Sequence, residues 1–451
     1  MTLRIASFGV RGFVGTSLTP KVAMDFAGAF AAHLSGGRVL LGRDTRGSSR
    51  MLHSAVSSSL MAAGCEVLNF GICPTPMLQF SVRPYGAAGA ISISGGHNAM
   101  GWNALTFIGA DGAFLDPMGG EAVLDHYHAG SFLPADWAHM GALREERGFA
   151  EPYFTALEKR LDVAAIRAAK LTVLMDPVGG AGCPFLEEFA RRLGFRLVPI
   201  NAQLSAYLAR EAEPRPRSAM QMAGIIRQLG GDAGFLFSSD LTRLSLVTEA
   251  GEPASEEFTF AVLANHVLGQ RAGTVVTNSC TTRMIDDIAR QRGVPLVKTR
   301  VGQAYIVSKL LDEQGVLGGE GSGSAVVPDF SRAFDGFLMV GLVLEAMAQH
   351  GKKLSELLGA LPRYHIVKRQ VRCDSRHGYR ALDLAQEQML AHRDGGQADL
   401  TDGLRMDWPD GWVHARASQT EQLVRVISEA KTRATAEHRA DELVRLIEQE
   451  V

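Results

Sequence analysis

Apolar positions along the chain alternate between two periodicities, and this alternation predicts strands followed by helices. The segment 20–34 predicts an amphipathic helix because its apolar residues recur at helical spacing, at Val22, Phe26, Phe30 and Leu34. The run GRVLLGRD that comes after it is typical of a buried strand. Strand-like runs ending in Gly, Ser or Asp loops recur in KLTVLMDPVGGAG, DAGFLFSSD and AGTVVTNSC. We therefore predict layered α/β domains whose functional loops lie at one edge of each sheet.

Length and local composition predict four domains. The chain has 451 residues and is 46% apolar, which is enough for several cores at roughly 150 residues per domain. Charged, glycine- or proline-containing stretches near residues 150, 250 and 365 indicate the boundaries. Beyond the last boundary, Asp-Gly turns predict a hairpin followed by a terminal helix, which favours a small α+β domain. The predicted domains are 1–150, 151–252, 253–365 and 366–451.

Charge and cysteine usage exclude several classes of function. The 46 Lys and Arg residues nearly cancel the 48 Asp and Glu residues, so no overall field attracts nucleic acid or an anionic membrane. The five cysteines are widely spaced and form no CxxC pair, which argues against a zinc site or a disulfide framework. The start lacks a secretory pattern, and no run approaches the ~20 apolar residues of a membrane span. We expect a cytoplasmic protein with neither nucleic acid nor membrane as a partner.

Six short loops carry the candidate chemistry. They are GVRG around Arg11, GRDTR at 42–46, SGGHN at 94–98, SSDLTR at 238–243, GGEGSG at 318–323 and RASQTE at 416–421. Each loop alone is a weak signal, because glycine-rich turns are common. Their order along one chain is much more specific.

This ordered set resembles the α-D-phosphohexomutase family, which contains phosphoglucomutases, phosphomannomutases and phosphoglucosamine mutases. The segments GICPTPML, KTRVGQAYI and DLTDGLRMDWPDGWVHARASQTEQLVRV extend the resemblance over nearly the whole chain. It implies an α/β fold of four domains around a central cleft, three of them related α/β domains with mixed sheets and the last a C-terminal α+β domain. It also implies a reaction in which a phosphoserine transfers its phosphoryl group to a sugar monophosphate, assisted by Mg²⁺.

The residues that hold the sugar in the family are retained. GGEGSG matches the family pattern G-G-E-x-S-G, so Glu320 and Ser322 are expected to bind sugar hydroxyls. Arg11 and Arg43 resemble groups that face phosphate or brace loops. The alternative for the GRDTR segment is a structural ion network among Arg43, Asp44 and Arg46.

The loop that holds the non-reacting phosphate is also largely retained. The family pattern is R-x-S-G/N-T-E-P, and the resemblance assigns phosphate binding to Arg416, Ser418, Gln419, Thr420 and Arg425. Gln419 departs from the family pattern but still donates through its amide. Gln422 replaces the family proline, which reduces the stiffness of the loop.

The residues that carry the family's chemistry are not retained. The nucleophile loop reads T-A-S-H-N or T-G-S-H-N in the family, which aligns Ser94 with the threonine and Gly96 with the phosphoserine, followed by His97 and Asn98. Gly96 has no side chain to phosphorylate. Successive glycines can still bind an anion through backbone amides. The lysine of the family's NGIK segment is replaced here by Thr106.

The metal loop is degenerate as well. The family pattern D-G-D-x-D-R supplies three carboxylates, whereas this chain places Ser238, Asp240 and Thr242 at those positions. One carboxylate and two neutral hydroxyls do not offset the cost of dehydrating Mg²⁺. Loss of phosphoryl transfer explains the three absences together.

We interpret the chain as a phosphohexomutase homologue that binds a hexose phosphate or related phosphosugar and has lost the mutase chemistry. It would act in sugar-phosphate or sugar-nucleotide metabolism, as a regulator or an assembly partner. No cofactor is expected, and Mg²⁺ is expected only if the chain is an active mutase. A homodimer and a complex with a pathway enzyme both stay open as assemblies.

Two alternatives keep an enzymatic role. The first is an active phosphomannomutase- or phosphoglucomutase-like enzyme that converts hexose 6-phosphate to 1-phosphate with a substitute serine, Ser94 or Ser92. Ser94 lies two residues from the expected position, at ~3.3 Å per residue of extended chain, and phosphoryl transfer depends on in-line positioning. The second is a different reaction on a phosphosugar with His97 as general acid or base.

Overall fold

The computed structural model describes residues 3–6, 8–130, 134–391, 395–418 and 422–449. The chain forms two compact units, of which the first comprises Met1–His266 with Ser322–Gly359 and the second Val267–Gly321 with Ala360–Val451. Across the described ranges, no helix combines the length and apolar character that a bilayer-spanning segment needs. The four predicted domains divide the chain more finely than these two units, and their boundaries stay a prediction.

The N-terminal part of the first unit is a seven-stranded mixed sheet. Its elements are β1 (Arg4–Ala6), β2 (Gly9–Phe13), α1 (Pro20–Leu34), β3 (Arg38–Arg43), α2 (Gly47–Ala62), β4 (Glu66–Ile72), α3 (Thr75–Ser81), β5 (Gly89–Ile93), β6 (Trp102–Gly109), α4 (Pro117–Ala129) and β7 (Leu143–Glu145). The strand order is β1-β2-β6-β5-β3-β4-β7. Strand β3 pairs in parallel with β4 and β5, whereas β6 is antiparallel to β5 and β2.

Helix α1 confirms the helix predicted for 20–34, and its local sequence explains both of its ends. The Thr19 hydroxyl accepts a hydrogen bond from the Val22 amide, and Pro20 occupies the first turn, where its missing N–H costs nothing. Ser35 ends the helix in a left-handed conformation at φ 57°. The buried face of α1 places Phe26 and Phe30 against the sheet, where both rings stack on Phe107.

The second part of the first unit is a four-stranded sheet with order β11-β10-β8-β9. Strand β8 is parallel to β9 and β10, and β11 is antiparallel to β10. Two short 3₁₀ helices, Cys183–Phe185 and Pro216–Ala219, connect these elements. The elements of this part are α5 (Ala150–Arg160), α6 (Val163–Ala169), β8 (Thr172–Asp176), α7 (Leu186–Leu193), β9 (Arg196–Pro199), α8 (Met220–Leu229), β10 (Ala233–Phe237) and β11 (Leu244–Thr248).

The next stretch of chain contributes to both units. Its elements are α9 (Glu257–Gln270), β12 (Val275–Asn278), α10 (Met284–Arg292), β13 (Leu296–Thr299), α11 (Gln303–Asp312), β14 (Leu317–Glu320), β15 (Ser324–Val326), α12 (Gly336–His350) and α13 (Leu354–Gly359). Within the second unit, β12 pairs in parallel with β13 and β14. The strand-like runs KLTVLMD, DAGFLF and AGTVVTN thus correspond to β8, β10 and β12, as predicted.

An antiparallel sheet of order β16-β20-β19-β18-β17 completes the second unit. Its elements are β16 (His365–Arg372), α14 (Ser375–Ala391), β17 (Gln397–Asp399), β18 (Leu404–Trp408), β19 (Gly411–Ala417), β20 (Leu423–Ala430) and α15 (Arg433–Glu448). Strands β18 and β19 form the predicted hairpin around Pro409 and Asp410. Helix α15 confirms the predicted terminal helix, which begins with the Thr432 hydroxyl accepting from the Thr435 amide.

Candidate functional site

The loop 94–98 is held in place by a buried ion pair from the end of β3. Strands β3 and β5 run parallel and end at the same edge, so Asp44 and Arg46 lie beside the loop. One Asp44 oxygen, Oδ2, accepts from the Gly95 amide and the Ser94 hydroxyl, each at 2.9 Å. The Arg46 guanidinium, which is 2% exposed, donates to four carbonyl oxygens, those of Gly96, Asn98, Ala99 and Trp102. A planar fork of five donors suits this multiple contact.

Within the GRDTR segment, Asp44 and Arg46 form a buried ion pair, whereas the part of Arg43 in phosphate binding or in an ion network stays a prediction. Arg46 Nε lies 3.4 Å from Asp44 Oδ2. Burial lowers the pKa of Arg46, and the charges of Asp44 and Asp240 oppose that shift. Arg43 donates from Nη1 to the Asp44 carbonyl at 3.1 Å, and burial lowers the pKa of Arg43 as well. Sequence reasoning did not single out Arg46 as the residue that shapes the loop, and its only signal was its place in GRDTR.

Two adjacent glycines are required by this geometry. A Cβ on Gly95 would lie 2.2 Å from the Arg46 Cζ atom, so a side chain there would collide with the guanidinium. Gly96 has a φ of +52°, in the left-handed region that favours glycine. A Cβ on Gly96 would lie 3.1 Å from Asp240 Oδ2. The Gly96 position, which the resemblance aligns with the phosphoserine, therefore faces the Asp240 carboxylate of the loop 238–243.

In the loop 238–243, the two substituted positions bond to the one carboxylate that is left. Ser238 Oγ donates to Asp240 Oδ1 at 2.6 Å, and Thr242 donates to the same oxygen from Oγ1 at 3.0 Å and from its amide at 3.3 Å. Ser239 Oγ donates to the Gly96 carbonyl at 2.8 Å, which ties this loop to the loop 94–98. Within the described ranges, no three His, Cys, Asp or Glu side chains come together as a metal site.

The other candidates of the first unit lie on or next to this pair of loops. The Ser94 hydroxyl, besides donating to Asp44, accepts from the Gly96 amide at 3.0 Å. Asn98 donates from both its amide and its side chain to the Gly95 carbonyl, at 2.9 Å each, and so closes the turn. His97 is half-buried in the same turn. Arg11 is half-buried on β2, paired with Ala104 of β6.

The segment 318–323, which the sequence predicts to bind the sugar, comprises the last three residues of β14 and the loop that follows. Glu320 is half-buried, and its Oε2 accepts from the Asn278 side-chain amide at 3.0 Å in the second unit. This contact fixes the carboxylate at the carboxyl edge of the sheet. In the first unit, Ser322 Oγ lies 3.2 Å from Ser324 Oγ, which donates to the Thr242 carbonyl at 2.8 Å.

Two arginines predicted to bind phosphate lie directly opposite each other on neighbouring strands. Arg416 of β19 and Arg425 of β20 are cross-strand partners. Arg416 Nε is 3.6 Å from Asp402 Oδ2, and Arg425 is exposed. Like charges in directly opposite positions destabilise a sheet, so an anion bound there would relieve a cost of the fold. Ser418 is buried at the end of β19, and its amide donates to the Leu423 carbonyl. Gln419 and Thr420 lie outside the described residues.

Comparison with known proteins identifies relatives over the full chain. Four family models match, described as phosphoglucomutase/phosphomannomutase alpha/beta/alpha domains I, II and III and C-terminal domain, at residues 5–133, 151–251, 255–364 and 371–446. A phosphoglucomutase/phosphomannomutase of Thermococcus kodakarensis is 34% identical over 450 residues, which cover 98% of each chain.

Solved structures agree with this fold. A phosphoglucomutase/phosphomannomutase family protein of Burkholderia thailandensis superposes with a TM-score of 0.86 at 23% identity, covering 99% of this chain and 98% of its own. An Aspergillus fumigatus N-acetylphosphoglucosamine mutase gives a TM-score of 0.57 at 13% identity, with 99% and 95% coverage. That structure is a serine-to-alanine variant in complex with glucose 1,6-bisphosphate. The four matched domains and the full-length identity lead to one assignment: this chain belongs to the phosphoglucomutase/phosphomannomutase family.

Proposed function

We propose that this chain binds a phosphosugar and does not carry out the phosphoserine-dependent mutase reaction of its family. One observation carries the proposal. The backbone of Gly96 directs its missing side chain toward Asp240, at the place where two functional loops meet, and no oxygen is present there to accept phosphorus. Phosphoryl transfer needs a nucleophile in line with the leaving group, and Gly96 supplies none.

The loop 238–243 does not fit Mg²⁺. A magnesium ion prefers charged oxygen ligands in octahedral geometry and releases its water reluctantly. Here the hydroxyls of Ser238 and Thr242 donate their protons to Asp240 Oδ1, so that oxygen is already occupied by the two residues that replace the family carboxylates. A metal ion here would gain one carboxylate, and coordination through Oδ1 would break both hydrogen bonds.

Ser94 does not fit the part of a substitute nucleophile. Its hydroxyl proton is donated to Asp44 Oδ2, and its oxygen accepts from the Gly96 amide. Asp44 also accepts from the Gly95 and Arg46 amides and from the Ser49 hydroxyl. Both the hydrogen and the oxygen of the Ser94 hydroxyl are thus engaged in the hydrogen-bond network around Asp44, which favours a structural role for Ser94.

The residues predicted to bind the phosphosugar support the proposal that this chain still binds one. The facing Arg416 and Arg425 and the anchored Glu320 offer cations for a phosphate and a carboxylate for sugar hydroxyls. The Aspergillus variant described above binds glucose 1,6-bisphosphate although a serine has been replaced by alanine. Holding such a ligand therefore does not require every serine hydroxyl of this fold.

The proposal is tested by incubating the purified chain with glucose 1,6-bisphosphate and Mg²⁺ and measuring its intact mass. We expect no added phosphoryl group and no interconversion of hexose 1- and 6-phosphates, with an active phosphoglucomutase run alongside as the positive control. Gain of one phosphoryl group that Ser94→Ala removes would establish the substitute-serine mechanism instead. Formation of a product other than a hexose phosphate, abolished by His97→Ala, would establish different chemistry on the same ligand.

A further inference from the structure

The second unit contains a cationic cavity that none of the assigned motifs accounts for. Its volume is about 360 Å³, near the lower end of the range for small-molecule sites. It is lined by the N-cap and two residues of helix α10, by the segment that leads into β16, and by residues at the two ends of the β19–β20 hairpin. The lining residues are Arg283, Asp287, Arg290, Pro362, Arg363, Tyr364, Pro409 and Lys431.

The charge of the wall is strongly one-sided. Four of the eight lining residues are cations and one is a carboxylate, which leaves three positive charges facing a small space. Both oxygens of Asp287 are already engaged, Oδ1 by Arg290 Nη1 at 3.2 Å and Oδ2 by the Tyr364 hydroxyl at 2.6 Å. The only acid of the wall is therefore compensated from within the wall.

Two acids next to the lining residues have hydrogen-bond partners of their own. Asp410, next to Pro409, is paired with Arg439 at 2.8 Å. Glu429 is 2% exposed and accepts from the Arg283 amide and the Trp412 indole. Neither acid lines the cavity.

The cations differ in how firmly they are placed. The Arg283 guanidinium donates to the Trp408 and Gly411 carbonyls, which fixes it against the β18–β19 turn. Lys431 is exposed, and among the described residues no side chain pairs with its ammonium group. Its amide donates to the Asp410 carbonyl and holds the backbone of Lys431 at the cavity. The cavity is therefore lined by a fixed guanidinium, that of Arg283, and by the exposed ammonium group of Lys431. Two cations around one small polar space favour the binding of an anion.

We propose that this cavity is a second ligand site that binds a diphosphate group. Three positive charges match the charge of a diphosphate better than that of a phosphomonoester, and the volume fits a small molecule and not a macromolecule. Inorganic diphosphate and the diphosphate of a nucleotide share this chemistry. The site is separate from the cross-strand pair Arg416 and Arg425, which do not line the cavity, so the inference does not depend on the proposed phosphosugar function.

The test is calorimetry of the full chain with inorganic pyrophosphate and, separately, with uridine diphosphate. We expect binding of both, weakening with added salt because the contacts are ionic. The charge-removing variants Arg363→Ala and Lys431→Ala are each expected to weaken binding about tenfold, since one contact to a charged group is lost. Both residues are exposed, so the variants are expected to fold.

Matched controls separate this site from the phosphosugar site. Arg416→Ala is expected to leave pyrophosphate binding unchanged, and Lys431→Ala is expected to leave binding of hexose 6-phosphate unchanged. Absence of heat with both diphosphates would overturn the proposal. So would loss of pyrophosphate binding in Arg416→Ala with retention in Lys431→Ala, because the anion would then occupy the other site.

Discussion

At the scale of single residues, Gly96 and Arg46 have opposite effects on the same loop. Arg46 gives the loop 94–98 a fixed shape by donating to two carbonyls of the loop and to two carbonyls that follow it, those of Ala99 and Trp102. Gly96 leaves that shape without a reactive atom. The loop that the resemblance predicts to carry the nucleophile is thus held in a fixed conformation, while its predicted phosphoserine position has no side chain. Restoring that group and removing the scaffold are separate experiments.

The variant Gly96→Ser restores the hydroxyl alone. We expect it to remain unphosphorylated by glucose 1,6-bisphosphate, because the loop 238–243 still has one carboxylate and does not fit Mg²⁺. We also expect a loss of about 1–2 kcal/mol in the free energy of unfolding, since serine is strained at a positive φ. Intact mass and urea denaturation measure the two effects. A Mg²⁺-dependent phosphoserine in this variant would contradict the proposed role of the metal loop.

The variant Arg46→Ala removes the guanidinium that holds the loop 94–98 in place. We expect it to lose about 3–5 kcal/mol of stability, because the Asp44 carboxylate is left buried without its cation. Arg43→Ala is the matched control, since Arg43 is half-buried and its guanidinium donates to the Asp44 carbonyl. Its loss should be about 1 kcal/mol. Equal losses in urea denaturation of the two variants would show that Arg46 does not hold the loop.

At the scale of elements, successive side chains of strand β19 point to opposite faces of the C-terminal sheet and so lie in two different environments. Val413, Ala415 and Ala417 face the apolar core of the C-terminal sheet. His414 and Arg416 face the other side, where His414 is buried and Arg416 meets Arg425. His414 Nε2 lies 2.7 Å from the Asp402 carbonyl and Nδ1 lies 3.2 Å from the Cys280 thiol, so the ring is held as a neutral imidazole.

This burial makes the stability of the protein depend on pH. Desolvation lowers the pKa of His414 from its ordinary 6.5 to about 4. Between these two values the unfolded chain therefore binds a proton at this imidazole and the folded chain does not. Stability from this group is complete above pH 6.5 and is lost as the pH falls toward 4, by about 3 kcal/mol. Burial raises the pKa of Asp335 to about 6, which acts in the opposite direction over part of the same range.

The contribution of His414 is isolated by comparison with His414→Gln. We expect the difference in stability between the wild type and this variant to shrink as the pH falls from 6.5 to 4, because the common effect of Asp335 cancels. His139→Gln is the control, since that imidazole is 78% exposed. Thermal denaturation at several pH values measures the slopes. Parallel slopes for the wild type and His414→Gln would contradict the assigned burial effect.

At the scale of the whole molecule, binding of a phosphosugar should appear as stabilisation. A ligand that binds only the folded chain adds about 2.7 kcal/mol at a concentration 100 times its dissociation constant. We expect hexose 1- or 6-phosphate to raise the melting temperature, and we expect Arg416→Ala to abolish the shift. Arg433→Ala, which removes an exposed arginine of α15 paired with Glu437, should leave it unchanged. If hexose phosphates do not raise the melting temperature of the wild type, the protein does not bind them, and a role as a structural scaffold is the one left.

Sequence reasoning identified the elements because their signals are local. The helix 20–34, the strand runs and the C-terminal hairpin follow from periodicity, caps and turn residues that lie within a few positions of each other. It also identified Gly96, Ser238 and Thr242 as departures, because an ordered motif compares residue types position by position. The assignment of site residues stays a prediction until ligand binding is measured.

The sequence by itself determined the family, the kinds of element and the identity of the missing groups, since these depend on residue type and order. Only the tertiary structure decided how the remaining groups are used. It brings Ser238 and Thr242 onto Asp240, places Arg46 under the loop 94–98 and assembles the cationic cavity from segments distant in sequence. The reason is physical: hydrogen bonds and charges act over a few ångströms of space, and only folding determines which distant residues come within that range.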